Sequence, residues 1–241
     1  YLFVFLLVFC ASAFSQQKYD VAAYVWPAYH DEPRFKQEMN IFHDGKGEWE
    51  AVYKAKPKFE GHRQPRVPLW GYLDEADPKV QEKVIDTALK YGVNTFIFDW
   101  YWYDDKPFLE GVLNNGFLKA KNNEKMKFYL MWANHDVVNV WDTRLARVKE
   151  DNVIWTGKVD REEFEKICKR NIEKYFKHPQ YYKIDGKPVF MIYDSHNLPD
   201  DFIVYWLKWA KEDGFKGIYF IGNIYYNENS GDYINRGYSA V

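Results

Sequence analysis

Between positions 77 and 99 the chain reads DPKVQEKVIDTALKYGVNTFIFD, and this stretch decides the fold class. Asp77 is suited to cap a helix, with Pro78 at the first helical position, where a missing N–H costs nothing. Val80, Val84, Ile85, Ala88 and Leu89 fall on one stripe, and Gly92 closes the helix. Residues 94–99 are then a short, almost wholly apolar run, the pattern of a strand covered on both faces. A helix feeding such a strand is half of a βαβ unit, and the unit recurs in both directions.

Upstream, residues 19–26 are β-branched and aromatic and end at Pro27, which predicts a first strand. Residues 27–77 are irregular and rich in His, Trp, Pro, Gly and charge, too long for a plain connection and so expected to carry function. Downstream, residues 108–120 predict a helix and 126–134 a third strand. Asp160 opens a capped helix with Glu163 three residues on, its apolar positions being Phe164, Ile167, Ile172, Tyr175 and Phe176. Residues 187–194 predict a fourth strand, 199–213 a helix closed by Gly214, 217–223 a fifth strand, and Gly237 onward a sixth. Strands alternating with helices imply an α/β fold with a parallel sheet covered on both faces.

An open doubly wound sheet and a closed (β/α)8 barrel both fit that alternation. No G-x-G-x-x-G follows the first strand and no G-x-x-x-x-G-K-[ST] occurs, so the nucleotide-binding forms lose their usual support. Polar residues stand at the strand ends instead: Trp26, Asp99, Asn134, Asp194 and Asn223. Strand C-terminal ends form the rim on which a barrel builds its site. The expected architecture is a TIM-type (β/α)8 barrel, C-terminally truncated, with about five to six βα units present.

Composition narrows the function. Thirty-three Lys plus Arg against 35 Asp plus Glu give a formal net charge of -2, which argues against nucleic acid as a partner. Aromatic residues reach 20%, with 10 Trp and 20 Tyr, a surplus that suggests surfaces for stacking ring-shaped ligands. Two cysteines exclude a disulfide framework and a cysteine zinc site. Residues 1–16 read as a secretory signal peptide, an apolar run leading into Ala11-Ser12-Ala13, with 17–241 as the barrel part; acylation of Cys10 is disfavoured by bulky Phe9 before it. The expected location is therefore periplasmic or extracellular, with no stable membrane span after cleavage.

The six His are scattered without metal spacing, and G-x-S-x-G is absent, so neither a metal centre nor a serine hydrolase has an anchor; no cofactor is expected. Carboxylates among aromatics remain, the combination that glycoside chemistry uses. The run Asp99-Trp100-Tyr101-Trp102-Tyr103-Asp104-Asp105 reads as a strand-end acid with aromatics on the following loop. Trp132, Asn134 and His135 form a second group, Glu48 and Trp49 in the long loop a third, and Tyr193 with Asn223 a fourth. Tyr24, Trp26 and His30 complete the expected substrate-binding set: Tyr24, Trp26, His30, Glu48, Trp49, Asp99, Trp100, Trp102, Trp132, Asn134, His135, Tyr193 and Asn223. The ordinary alternative for each is capping, core packing or solvated polarity.

Several strings in one order carry a resemblance. Gly47-Glu48-Trp49 with Val52, then Ala55-Lys56-Pro57, then Gly61-His62-Arg63-Gln64-Pro65-Arg66-Val67-Pro68 resemble the T-E-W-x-N-V, A-K-P and G-H-x-Q-P-R-x-P signature of the WbsX, or glycoside hydrolase family 99-like, proteins. Asp77-Pro78, Trp132-Ala133-Asn134, the run from Tyr182 to Phe190, and Gly237-Tyr238-Ser239-Ala240-Val241 match as well. The resemblance implies a (β/α)8 barrel acting on carbohydrate without a metal. In family 99, retaining endo-α-mannosidases use one glutamate to deprotonate the sugar's own 2-hydroxyl and another as acid and then base. Those glutamates lie in a Glu-Trp stretch near the barrel's C-terminal end, and none follows Asn223, so the catalytic pair is unassigned and expected downstream of Val241. The chain also departs from the family: Asn134-His135-Asp136 stands where many relatives show N-E-N-W, and Asp99 is not dictated by the signature. The expected function is that of an exported glycoside hydrolase, with a glycosyltransferase of surface-polysaccharide synthesis and a non-catalytic carbohydrate-binding barrel as alternatives.

Overall fold

The structure is a computed structural model and describes residues 19–138, 153–199, 201–224 and 227–241. The leader-like residues 1–16, Cys10 among them, lie outside the described residues. Five parallel strands, β1 (Ala22–Val25), β2 (Thr95–Tyr103), β3 (Lys127–Trp132), β4 (Lys187–Ile192) and β5 (Tyr219–Gly222), lie side by side in chain order. A doubly wound sheet reverses its order at a switch point, whereas a barrel adds each strand beside the last. The parallel bridge from Ile221 to Ala240 begins a sixth strand. The described residues thus form part of a (β/α)8-type barrel, five units and the start of a sixth.

The helices follow from their caps and stripes. In α1 (Pro78–Lys90) the Asp77 carboxylate accepts from Lys79 N at 2.8 Å, and Ile85 is fully buried against the sheet. In α2 (Arg161–Asn171) Asp160 accepts from Glu163 N at 2.9 Å. The Glu163 side chain does not close a capping box; it accepts from Trp102 Nε1 at 2.8 Å and Asp105 N at 2.9 Å. α3 (Phe202–Glu212) ends before Gly214, whose φ of 86° a side chain would resist. The predicted helix over 108–120 is instead a π turn (Val112–Gly116) and a 3-10 turn (Phe117–Lys119). Asn114, Asn115 and Gly116 are poor helix formers, and the Asn114 side chain bonds Glu110 and Tyr175 rather than pointing to water.

β2 runs four residues beyond its expected end. Lys106–Phe108 folds back antiparallel on it, pairing Tyr101 with Phe108 and Tyr103 with Lys106, around Asp104 and Asp105 at φ 52° and 59°. Because strand side chains alternate, this extension sorts the aromatic run onto two faces. Phe98, Trp100 and Trp102 turn toward the helices; Ile97, Asp99, Tyr101 and Tyr103 turn toward the barrel interior.

The helix-side layer is the main core. The Trp206 ring on α3 meets Phe190 at 4.3 Å, Phe164 at 5.7 Å and Phe220 at 5.7 Å, and Trp132 stacks over Phe164. Trp100, Trp132, Trp206, Tyr175 and Tyr181 are all fully buried. Much of the aromatic surplus is therefore structural, a different use from the ligand platforms that composition suggested. Cys168 is buried in this layer too, and burial pushes its thiol up, so it is chemically quiet.

Candidate functional site

At the C-terminal ends of the strands, side chains from four elements converge on the Tyr101 ring. Trp26, just after β1, meets it edge-on at 5.9 Å, and its Nε1 donates to Glu48 Oε2 at 2.9 Å. That bond is local in origin: Gly47 at φ 55° lets the long loop turn back, and Glu48 N donates to Ala28 O at 3.0 Å. A Cβ on Gly47 would sit 2.1 Å from Ala28 O, so the turn needs glycine. His135, after β3, lies 6.1 Å from the Tyr101 ring and 5.4 Å from Tyr193, which follows β4. Asn223 follows β5 and donates its backbone N–H to Ile192 O, which sets it beside the Tyr193 end of the neighbouring strand.

Beneath this rim sits Asp99, in register with Met131 on β3, which is in turn in register with Met191 on β4. Burial pushes its carboxyl up to about 7. Tyr24 reaches in from β1 and donates its hydroxyl to Met191 Sδ at 3.4 Å. Burial and then the Asp99 charge push the Tyr24 phenol up; Tyr101 is pushed up by burial and by Asp99, Tyr103, Glu48 and Tyr193. The geometry gathers ring edges and faces, an imidazole and two carboxyls, one anchored and one desolvated, at a common mouth. Tyr101, 1% exposed, is the packing centre beneath this mouth and not part of its surface; the alternation of a strand prolonged past Asp99 is the signal that reveals its place.

The remaining expected residues lie elsewhere, for stated reasons. Trp100, Trp102 and Trp132 are corrected from mouth to helix-side layer: Trp100 Nε1 donates to Glu110 at 2.7 Å, Trp102 Nε1 to Glu163, and Trp132 is 0% exposed. His30 is corrected as well. It is buried against Gly111, with Nε2 4.0 Å from Glu32, and burial lowers its pKa, so it packs two loops together as a neutral ring. Trp49 stacks on Tyr29 at 4.2 Å and donates to Leu73 O; it lines a flank cavity of about 520 Å³ along α1 with Trp70, Glu75 and Val84, outside the mouth.

Asn134 is likewise consumed in structure. Fully buried, it donates Nδ2 to Asp194 O at 2.6 Å and accepts from Asp194 N at 2.9 Å, while its own carbonyl accepts from Asn197 Nδ2 at 3.0 Å. It staples the loop after β3 to the loop after β4, and so holds His135 beside Tyr193. Asn134→Ala leaves the Asp194 backbone groups without partners and is expected to cost about 1–3 kcal/mol. A thermal melt checks the cost; a loss within error would show that the staple contributes nothing.

Among the described residues no group of three or more His, Cys, Asp or Glu could hold a metal ion, and no helix is long and apolar enough to cross a membrane.

Comparison with known proteins gives the family and the fold. The family model described as Glycosyltransferase WbsX matches residues 21–241. Two curated relatives, each called "Uncharacterized protein WxcX", from two strains of Xanthomonas campestris pv. campestris, are 28% identical over 211 residues, which is 83% of this chain and 28% of theirs. The chain thus spans little more than a quarter of the length of those relatives. The solved GH99 endo-alpha-mannosidase from Bacteroides thetaiotaomicron aligns with a TM-score of 0.52 and 16% identity, over 90% of this chain and 59% of that one. At that identity the likeness is one of fold: this chain supplies part of the same barrel architecture.

Proposed function

The chain belongs to the WbsX family, and from that premise we propose that its barrel mouth binds a glycan and that the whole protein is an exported glycoside hydrolase, retaining and endo-α-mannosidase-like. The coarser statement, that this is a carbohydrate-active protein, follows from family and fold together. The observation that carries the finer reading is the Trp26–Glu48 pair held beside Tyr101, with Asp99 below: aromatic surfaces to meet sugar rings, and carboxyls to bond their hydroxyls. Tyr24, Trp26, Glu48, Asp99, His135, Tyr193 and Asn223 are the proposed substrate contacts; Tyr101, 1% exposed, packs beneath them and holds them together. In this reading the residues named here bind and orient the glycan, and no catalytic acid is assigned among them. Residues 1–16 support export, and no nucleic acid or resident cofactor enters the reading.

The family's own description favours a second reading, transfer of a sugar from an activated donor. One experiment separates the two. The full-length protein is expected to release reducing sugar from α-mannan or another polysaccharide in water alone. Product that forms only when a nucleotide sugar is supplied would establish the transferase; neither product, with glycan still bound, would establish a binder.

A further inference from the structure

We infer that Asp99 touches the bound glycan as a neutral carboxylic acid, donating its proton to a sugar hydroxyl, and that binding at this mouth therefore depends on that proton. The inference deepens the carbohydrate reading and rests on it. Its first support is what Asp99 lacks. Asp99 Oδ1 is closed to solvent and has no hydrogen-bond partner among the described residues. Two other buried acids, one on the helix side and one under the first loop, have donors. Glu110 accepts from Trp100, Arg170, Tyr175 and Asn114; Glu32 accepts from the N–H groups of Arg34 and Leu109. A buried acid that caps nothing and pairs with nothing costs stability, and such a group calls for a ligand or another explanation.

The second support is placement. Register with β3 sets Asp99 opposite Met131, and strand alternation puts it on the same face as Tyr101, two residues on, the face that points into the barrel. β1 presents Tyr24 to it and β2 presents Tyr101, while β3 and β4 offer Met131 and Met191, which do not titrate. Both phenols are pushed up by burial and stay neutral in neutral solution. Glu48 and His135 face Tyr101 from the rim. Among the described residues no ion pair brings a cation to Asp99, so burial alone acts and pushes its carboxyl up to about 7. A hydroxyl-rich ligand supplies the acceptor that the protein does not.

Calorimetric titration of the full-length protein with α-manno-, α-gluco- and β-gluco-oligosaccharides of about five units tests this. The ligand that binds is expected to do so roughly tenfold more weakly at about pH 8 than at about pH 6, since affinity falls tenfold per unit above the pKa of the required acid. Asp99→Asn keeps a donor of the same shape, and is expected to bind within about threefold of wild type at the lower pH and to lose the pH dependence. Asp99→Ala is expected to bind about tenfold more weakly than wild type at the lower pH, to match it at the higher pH and to show no pH dependence. A pH dependence that survives in Asp99→Asn would assign it to His135 or another group and overturn the inference. Affinity that rises with pH in wild type and collapses in Asp99→Asn would mean a carboxylate meeting a cationic amino sugar, and would also overturn it. If no oligosaccharide binds at either pH, the carbohydrate reading fails and takes this inference with it. Asp99→Asn, nearly isosteric with the native side chain, keeps the test available should Asp99→Ala fail to fold.

Discussion

Glu110→Ala is expected to lower the stability of the protein by about 3–5 kcal/mol, because it leaves a half-buried guanidinium without its counter-charge. Glu110 Oε1 accepts from Trp100 Nε1 and Arg170 Nη1, each at 2.7 Å, and from the Tyr175 hydroxyl at 2.8 Å. Glu110 Oε2 accepts from Arg170 Nη2 at 2.6 Å and Asn114 Nδ2 at 2.9 Å. One carboxylate thus joins the helix-side face of β2, the π turn after it and the end of α2. At about 2–4 °C per kcal/mol for a chain of this size, the melting temperature should fall by about 10 °C. Burial alone would raise this carboxyl, but the Arg170 guanidinium, helped by Lys174 and Trp100, outweighs burial and holds it at about 2. Its ordinary value is 4.5, so the folded pKa is depressed and the sign follows. The stabilisation is fully present above the unfolded value and is lost as pH falls from there through about 2. By that shift it amounts to about 3 kcal/mol, and Glu110→Gln should flatten the acid limb of a urea-midpoint profile accordingly. An unchanged acid limb in Glu110→Gln would show that the pair does not govern acid stability.

Nothing near Glu110 in the sequence announces this role. Leu109 and Gly111 flank it, and Arg170 and Tyr175 lie 60 and 65 residues away. What was legible were the local features: Asp77 with Pro78, Asp160 with its stripe, Gly92 and Gly214, and the doubly apolar strands. Each is a periodic or capping signal that a single segment contains. The barrel order was legible too, since absent nucleotide loops and polar strand ends argued against the open sheet. The strand end at Asp99 was misplaced because Asp104-Asp105 makes a two-residue turn without the glycine that usually marks one. That one error moved Trp100 and Trp102 to the wrong face and hid Tyr101. Asn134 and His30 were misplaced for another reason: the Asp194 backbone and Gly111 bury them, and tertiary contacts leave no periodic trace.

The same parity separates two tryptophans that look alike in sequence, each followed by a small or turn-forming residue at a strand end, and their replacement should separate function from stability. Trp132 is fully buried, with its ring 6.4 Å from both Phe164 and Trp206. Trp132→Ala is expected to cost about 3–5 kcal/mol as a cavity in the helix-side core. Its indole N–H has no partner among the described residues, so Trp132→Phe, which removes the donor along with some volume, should cost only about 1–2 kcal/mol. Trp26 is half-buried at the mouth and holds Glu48 through its N–H. Trp26→Ala should change stability by no more than about 1 kcal/mol, because the mouth is not packed on both sides. It should weaken glycan binding at least tenfold, roughly 1.4 kcal/mol, since it removes a ring surface and the indole N–H that orients the Glu48 carboxylate. Melting curves and titrations on the two variants decide the matter. Were Trp26→Ala to melt early with binding intact, while Trp132→Ala bound poorly at an unchanged melting temperature, the two faces of the sheet would have to be exchanged and the mouth would lie on the helix side.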